Sequence, residues 1–147
     1  SEFRSAMGTR IYGCDDCLSV CPWNKFAQTT VEPAFLPRKN LDGPAISTLL
    51  QLDDAEFRRM FSKSPVKRTG RDRIIRNTLI AAGNTGDRSL ADDVTPLLDD
   101  PSPLIRAMAV WALAQLTDVS EFNFLRERYQ SGEPDKDVLE EWRTAAV

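Results

Sequence analysis

A mostly α-helical fold, built as a solenoid of stacked helix pairs behind a short cysteine-bearing segment, is predicted by three observations. Apolar residues recur at helical spacing from residue 44 onward, with turn signals at short intervals. The long apolar stretches begin near residues 70, 102 and 134, a period of about 32 residues. The three cysteines stand together as Cys14, Cys17 and Cys21.

The chain divides near residue 43. Residues 1–43 carry Tyr12, Pro22-Trp23-Asn24, Phe26 and the Phe35-Leu36-Pro37 run with little helical periodicity. They read as a cluster-binding loop and an extended connector, a segment in which metal–thiolate bonds can replace a hydrophobic core. Residues 44–147 read as helices. Pro44–Leu52 and Asp53–Phe61 are short, and Asp53, Asp54 and Glu56 suit the positive N-terminus of the second. The next helix runs from Thr69 or Gly70 to about Ala82, with Gly83-Asn84-Thr85-Gly86 as its stop. Ser89–Leu98 follows, ended by Asp99-Asp100-Pro101. Ser102-Pro103, an N-cap with proline at the first helical position, starts a helix to about Leu116. Glu121–Tyr129 and Asp135–Thr144 complete the set.

A shift of 30 residues lays Ile75-Arg76 on Ile105-Arg106 and Ala82 on Ala112. Two helices per unit at this period describe HEAT-like helical repeats, an α-solenoid, with an irregular bundle as the alternative. The helix 103–116 is apolar nearly all round, so it belongs to an inner layer covered on most sides.

An apolar content of 41% and a charged content of 28% support a packed core. No run approaches the roughly 18 apolar residues of a membrane helix, and the first seven residues lack the apolar centre of a secretory leader. Cysteines this close do not make a disulfide framework. A monomer in the reducing cytoplasm, with no membrane partner, is expected.

The net charge of −3 conceals an uneven distribution. Residues 58–76 hold Arg58, Arg59, Lys63, Lys67, Arg68, Arg71, Arg73 and Arg76 against Asp72 alone, eight charges against one. A basic segment inside an acidic chain suits a polyanion. Arg73, Arg76 and Asn77 share about 100° of a helical wheel, with Lys67, Arg68 and Arg71 in the turn before them. Cations beside a helix N-terminus bind phosphate without reading base sequence. The competing readings are a solvated charged face, with Asp72 and Arg76 as an i, i+4 pair, and internal pairing with the acidic C-terminal region.

Cys14-Asp-Asp-Cys17-Leu-Ser-Val-Cys21-Pro22 reproduces the last three cysteines of the ferredoxin spacing C-x2-C-x2-C-x3-C-P. Ile11 occupies the first position and cannot bind a metal. The spacing assigns Cys14 and Cys17 to one [4Fe–4S] cluster and Cys21 to a second, in an incomplete ferredoxin-like segment whose other ligands are expected upstream. Zinc with a ligand from elsewhere, and free thiols, are the alternatives. Trp23 is expected to pack over the cluster.

Taken together, these residues make the chain resemble the C-terminal part of the epoxyqueuosine reductase family. The resemblance rests on Met7-Gly-Thr-Arg-Ile-Tyr-Gly-Cys-Asp-Asp-Cys17, Val20-Cys-Pro-Trp-Asn24, Phe61-Ser-Lys-Ser-Pro-Val-Lys-Arg-Thr-Gly-Arg71 and Arg76-Asn-Thr-Leu-Ile-Ala-Ala-Gly-Asn84. It implies an oxidoreductase that reduces epoxyqueuosine to queuosine in the anticodon region of tRNA. Two [4Fe–4S] clusters would pass electrons from an unidentified donor to cobalamin bound by the part upstream of this chain. It further implies that Cys14, Cys17 and Cys21 are cluster ligands completed by an upstream cysteine, and that no catalytic residue lies here. Lys67, Arg68, Arg71, Arg73 and Arg76 would meet the tRNA. The rival reading is a non-enzymatic helical-repeat adaptor with a structural metal site, and a third is a ferredoxin-type carrier.

Overall fold

The computed structural model describes residues 3–33, 36 and 38–145. Phe35 and Pro37 of the expected connector, and both chain ends, lie outside the described residues. Before residue 44 the described residues form two short helices, α1 (Phe3–Met7) and α2 (Asp16–Ser19), and 3-10 turns at Pro22–Phe26 and Lys39–Leu41. Pro22 begins the first of these turns, where its missing N–H is harmless.

The remainder is helical as expected: α3 (Ile46–Leu50), α4 (Asp54–Met60), α5 (Arg71–Thr85), α6 (Ala91–Val94), α7 (Pro103–Leu116), α8 (Val119–Tyr129) and α9 (Lys136–Thr144). Asp53 and Glu56 close a reciprocal capping box on α4, satisfying two otherwise orphan N–H groups. Asp118 caps α8 and Asp135 caps α9 through their carboxylates. Three hydrogen bonds to the Asp118 carboxyl, from Glu121 N–H, Ser120 and Arg88, draw it down to about 2. Ser102 does not cap α7 with its hydroxyl; instead the Asp100 carboxylate accepts the Ser102 N–H at 2.8 Å.

Two boundaries depart from the sequence reading. Ser89–Leu98 is not one helix but α6 between 3-10 turns at Arg88–Leu90 and Thr95–Asp99. Pro96, lacking an N–H, cannot continue an α-helical ladder there. Helix α5 continues through Gly83 and stops at Gly86, whose φ of +66° is the left-handed conformation that ends many helices.

Gly83 has a different duty. Helices α5 and α7 share the widest contact in the fold, with α1, α3 and α4 against α5, and α6, α8 and α9 against α7. Ile75, Leu79, Ala82, Ile105, Ala109, Val110 and Leu113 are fully buried around that contact. A Cβ on Gly83 would stand 2.7 Å from Cζ3 of Trp111 and 3.3 Å from Cα of Ala112. The side chain is absent because the partner helix occupies its place.

One ion pair is built into the second repeat. Arg106 donates to Glu133 from Nε at 2.8 Å and Nη2 at 2.7 Å, and from Nη1 to the Asp100 carbonyl at 2.9 Å. Both side chains are largely buried, 14% and 7% exposed. The Arg106 hydrogen bonds hold the Glu133 carboxyl below the ordinary carboxylate range, against the opposing effect of burial.

Gly83→Ala gains up to about 1 kcal/mol of helix propensity but overpacks the contact at a cost of about 1–3 kcal/mol. A lower urea midpoint is therefore expected, restored in part by Trp111→Phe. Because the folded-state pKa of Glu133 is depressed, its stabilisation is present above the unfolded value of about 4.3 and lost as pH falls through the folded value. Glu133→Gln should be less stable than the parent at pH 7 and closer to it at pH 3; parallel urea curves at the two pH values would show that the pair carries no linkage.

Candidate nucleic-acid interface and cysteine segment

The basic segment folds as a 3-10 turn at Pro65–Thr69 leading through Gly70 into α5. The Ser64 hydroxyl accepts the Val66 N–H at 3.3 Å, and the Thr69 hydroxyl donates to the Val66 carbonyl at 2.6 Å. Gly70 sits at φ +81°, ψ 157°, a conformation closed to residues with a Cβ, which lets the turn enter α5 directly. No side chain caps the first N–H groups of α5.

The eight cations do not form one field. Arg58 is paired with Asp54 at 2.5 Å and Arg59 with Glu56 at 3.8 Å, within one helix. Arg71 donates from Nε to the Leu52 carbonyl at 2.7 Å and pairs with Asp100 at 2.9 Å, where the Asp100 side chain is only 4% exposed. Arg76 points both Nε and Nη2 at the Asn77 side-chain oxygen, at 3.0 and 2.8 Å. The suggested Asp72–Arg76 pair does not form; Asp72 stands 3.5 Å from Arg71.

Of the five cations proposed from the sequence, Lys67, Arg68 and Arg73 are exposed and carry no ion pair among the described residues. Arg71 and Arg76 are half-buried and engaged internally. Lys63 joins the exposed set: with Ser64, Pro65, Lys67 and Arg68 it lines an open groove of about 540 Å³. Arg68 also borders a second groove, of about 550 Å³, with Thr69, Gly70 and Arg73. Lys63 has φ +61° without being glycine, a backbone state that no local sequence signal announces.

The cysteine run is surface-borne. Cys14 and Cys17 are exposed, Cys21 is half-buried, and all three are free thiols. Gly13 and Asp15 flank Cys14 with φ of +68° and +54°. The Asp15 carbonyl accepts the N–H groups of Leu18 and Ser19, both at 2.9 Å, and the Asn24 amide donates to the Leu18 carbonyl. Trp23 is 72% exposed and meets the Phe26 ring at 5.6 Å between centroids. Among the described residues no three His, Cys, Asp or Glu side chains gather about a metal-sized point. The thiols fit an iron–sulfur cluster in kind but not in number, so this chain alone does not build a four-thiolate site.

The described residues include no helix long and apolar enough to cross a membrane. The family model for HEAT repeats matches residues 67–145. The chain belongs to the HEAT-repeat family. Its homologues are epoxyqueuosine reductases. The HEAT-repeat chain is 43% identical over 118 residues to epoxyqueuosine reductase of Xanthomonas campestris pv. campestris, covering 78% of itself and 32% of that protein. The same enzyme of Bacillus subtilis is 33% identical over 140 residues, covering 95% of this chain and 36% of the relative. The chain thus spans about a third of the length of these relatives. Among solved structures, an epoxyqueuosine reductase with a tRNA-Tyr epoxyqueuosine-modified stem loop matches 99% of this chain and 39% of its own, at TM-score 0.90 and 31% identity. A Streptococcus thermophilus epoxyqueuosine reductase matches 98% of this HEAT-repeat chain and 38% of its own, at TM-score 0.79 and 25% identity.

The two classes of arginine should separate on mutation. Arg71→Met leaves the buried Asp100 carboxylate unpaired and should cost about 3–5 kcal/mol in chemical denaturation. Arg68→Ala and Arg73→Ala, at exposed and unpaired positions, should stay within about 0.5 kcal/mol of the parent.

Proposed function

We propose that this chain is the RNA-holding and cluster-contributing portion of an epoxyqueuosine reductase, a cytoplasmic oxidoreductase that converts epoxyqueuosine to queuosine in tRNA. The observation that carries the reading is the likeness over nearly the whole chain to a reductase structure holding a tRNA stem loop. The exposed cations at the start of α5 supply an independent physical reason for it.

In this reading Lys67, Arg68 and Arg73 contact the phosphates of the anticodon stem. The uncapped N–H groups at the start of α5 add a fixed positive dipole end to the same surface. Contacts of this type set register and orientation and leave base identity to other parts of the enzyme. Arg71 and Arg76 support the surface from inside by fixing the turn and the helix face behind it.

Cys14 and Cys17 would ligate one [4Fe–4S] cluster and Cys21 a second, each completed by thiolates from outside this chain. Such clusters, when bound, supply one-electron transfer between an electron donor and the cobalamin of the whole protein. In this reading cobalamin is held by parts of the whole protein outside this chain. The contribution of this chain is to hold RNA, present thiolates and keep the two in register.

Binding of an anticodon stem loop, measured by fluorescence anisotropy, should weaken steeply with salt. Lys67→Glu combined with Arg68→Glu and Arg73→Glu should lower affinity at least tenfold, and flatten the log–log salt dependence by about 0.9 for each phosphate no longer neutralised. Neutralising the already paired Arg58 and Arg59 to Gln should leave both nearly unchanged. Equal weakening from the two sets would point to bulk charge, and an unaltered affinity in the triple variant would remove the phosphate role.

A further inference from the structure

The cysteine run is attached to the helical domain by a row of side-chain amides on α5. Asn77 donates to the Ile11 carbonyl at 2.8 Å, three residues before Cys14. Asn84 donates to the carbonyls of Arg4 and Gly8, both at 2.8 Å. Seven positions, close to two helical turns, separate the two asparagines, so they occupy one stripe of α5. A third fastening closes the row: the Arg4 guanidinium lies 5.5 Å over the Trp111 ring and pairs with Glu141 of α9, at 2.8 Å from Nη2.

The row is oriented as well as attached. The Asn77 oxygen accepts two N–H groups from Arg76, which forces its amide nitrogen to face away from Arg76 and toward Ile11. The carbonyls bonded at positions 4, 8 and 11 belong to the stretch that runs directly into Cys14, with Tyr12 and Gly13 between. Ile11, where the ferredoxin spacing would place a cysteine, packs against the hydrophobic core instead. A position that supplies no ligand serves as an anchor.

We infer that Asn77 and Asn84 are positioning residues for the thiolates: α5 holds the cysteine run by main-chain carbonyls, with Arg76 setting the direction of the Asn77 amide. The helical repeats thereby act as a jig for cluster ligands in addition to carrying RNA. The inference rests on the reading of Cys14, Cys17 and Cys21 as ligands for its consequence, but not for the attachment itself.

Asn→Asp is the discriminating change, because it keeps the oxygen and removes the donors to the carbonyls. In the chain with Cys17→Ser and Cys21→Ser, a nitroxide on Cys14 should show a several-fold larger mobile fraction when Asn77→Asp and Asn84→Asp are added, with cooperative unfolding retained. In the full-length protein with all cysteines and reconstituted clusters, Asn77→Asp should shift the cluster reduction potential or its EPR line shape. Val94→Ala, a core change distant in chemistry from the amide row, should destabilise without moving either. An immobile label in the double variant would overturn the attachment. A freed label with unmoved cluster signals would overturn the positioning role. Absence of any cluster in the parent protein would instead remove the ligand reading, and the triple cation variant, releasing RNA while keeping its cluster signals, separates the phosphate reading from both.

Discussion

Both the solenoid and the N-terminal segment are built around the approach of α5 to α7 at Gly83. A helix interior ordinarily disfavours glycine by about 1 kcal/mol relative to alanine, yet here any Cβ would enter the Trp111 ring. Trp111 then serves two neighbours. One side closes the inner layer of the solenoid; the Arg4 guanidinium lies over the ring and continues to Glu141 on α9. Asn84, the residue after Gly83, takes hold of the Arg4 and Gly8 carbonyls. One turn of α5 therefore sets the helix spacing and seats the N-terminal segment together.

Arginines show how a repeat is reused. Arg76 and Arg106 occupy equivalent positions in successive repeats, on the shift that superposes Ile75 on Ile105. Arg106 faces the carboxylate of Glu133, a bidentate pair in a largely buried place. Arg76 faces the neutral oxygen of Asn77. A carboxylate at position 77 would bind Arg76 more strongly but would present no donor to the Ile11 carbonyl. A side-chain amide accepts from one neighbour and donates to the other, which an ionised carboxylate cannot do. The repeat keeps its arginine and changes the partner according to what lies beyond it.

The solenoid was legible because its signals are local and periodic: apolar spacing, Pro103 at a helix start, and acidic caps such as Asp53 and Asp135 all act within a turn of themselves. The ends of α5 and α6 were less so. Gly83 has the composition of a stop, and only the presence of Trp111, 28 positions away, converts it into a packing site. The charge of the basic segment misleads for the same reason. Asp54 and Glu56 lie just outside it in sequence, and Asp100 lies far outside, yet these acids absorb Arg58, Arg59 and Arg71. Charge counted along a chain overstates a field whenever the fold supplies the counterions. The cysteine spacing was plain, whereas Asn77 and Asn84 bond to backbone carbonyls, which carry no side-chain signature for a sequence to display.

Helix α5 also separates what salt can change from what it cannot. Arg73, at the end facing the proposed RNA, and Asn84, at the end holding the N-terminal segment, are 11 residues apart, about 16 Å at 1.5 Å per residue. Phosphate contacts on an exposed surface weaken as counterions compete, so occupancy varies with ionic strength. The attachment of the N-terminal segment depends less on salt, because half-buried amide hydrogen bonds from Asn77 and Asn84 fasten it along the same helix. Electron transfer depends steeply on distance, and RNA capture depends steeply on charge. In the proposed function one rigid element would carry both, with the cations at its open N-terminus and the amides along its covered flank, so that each could vary without disturbing the other.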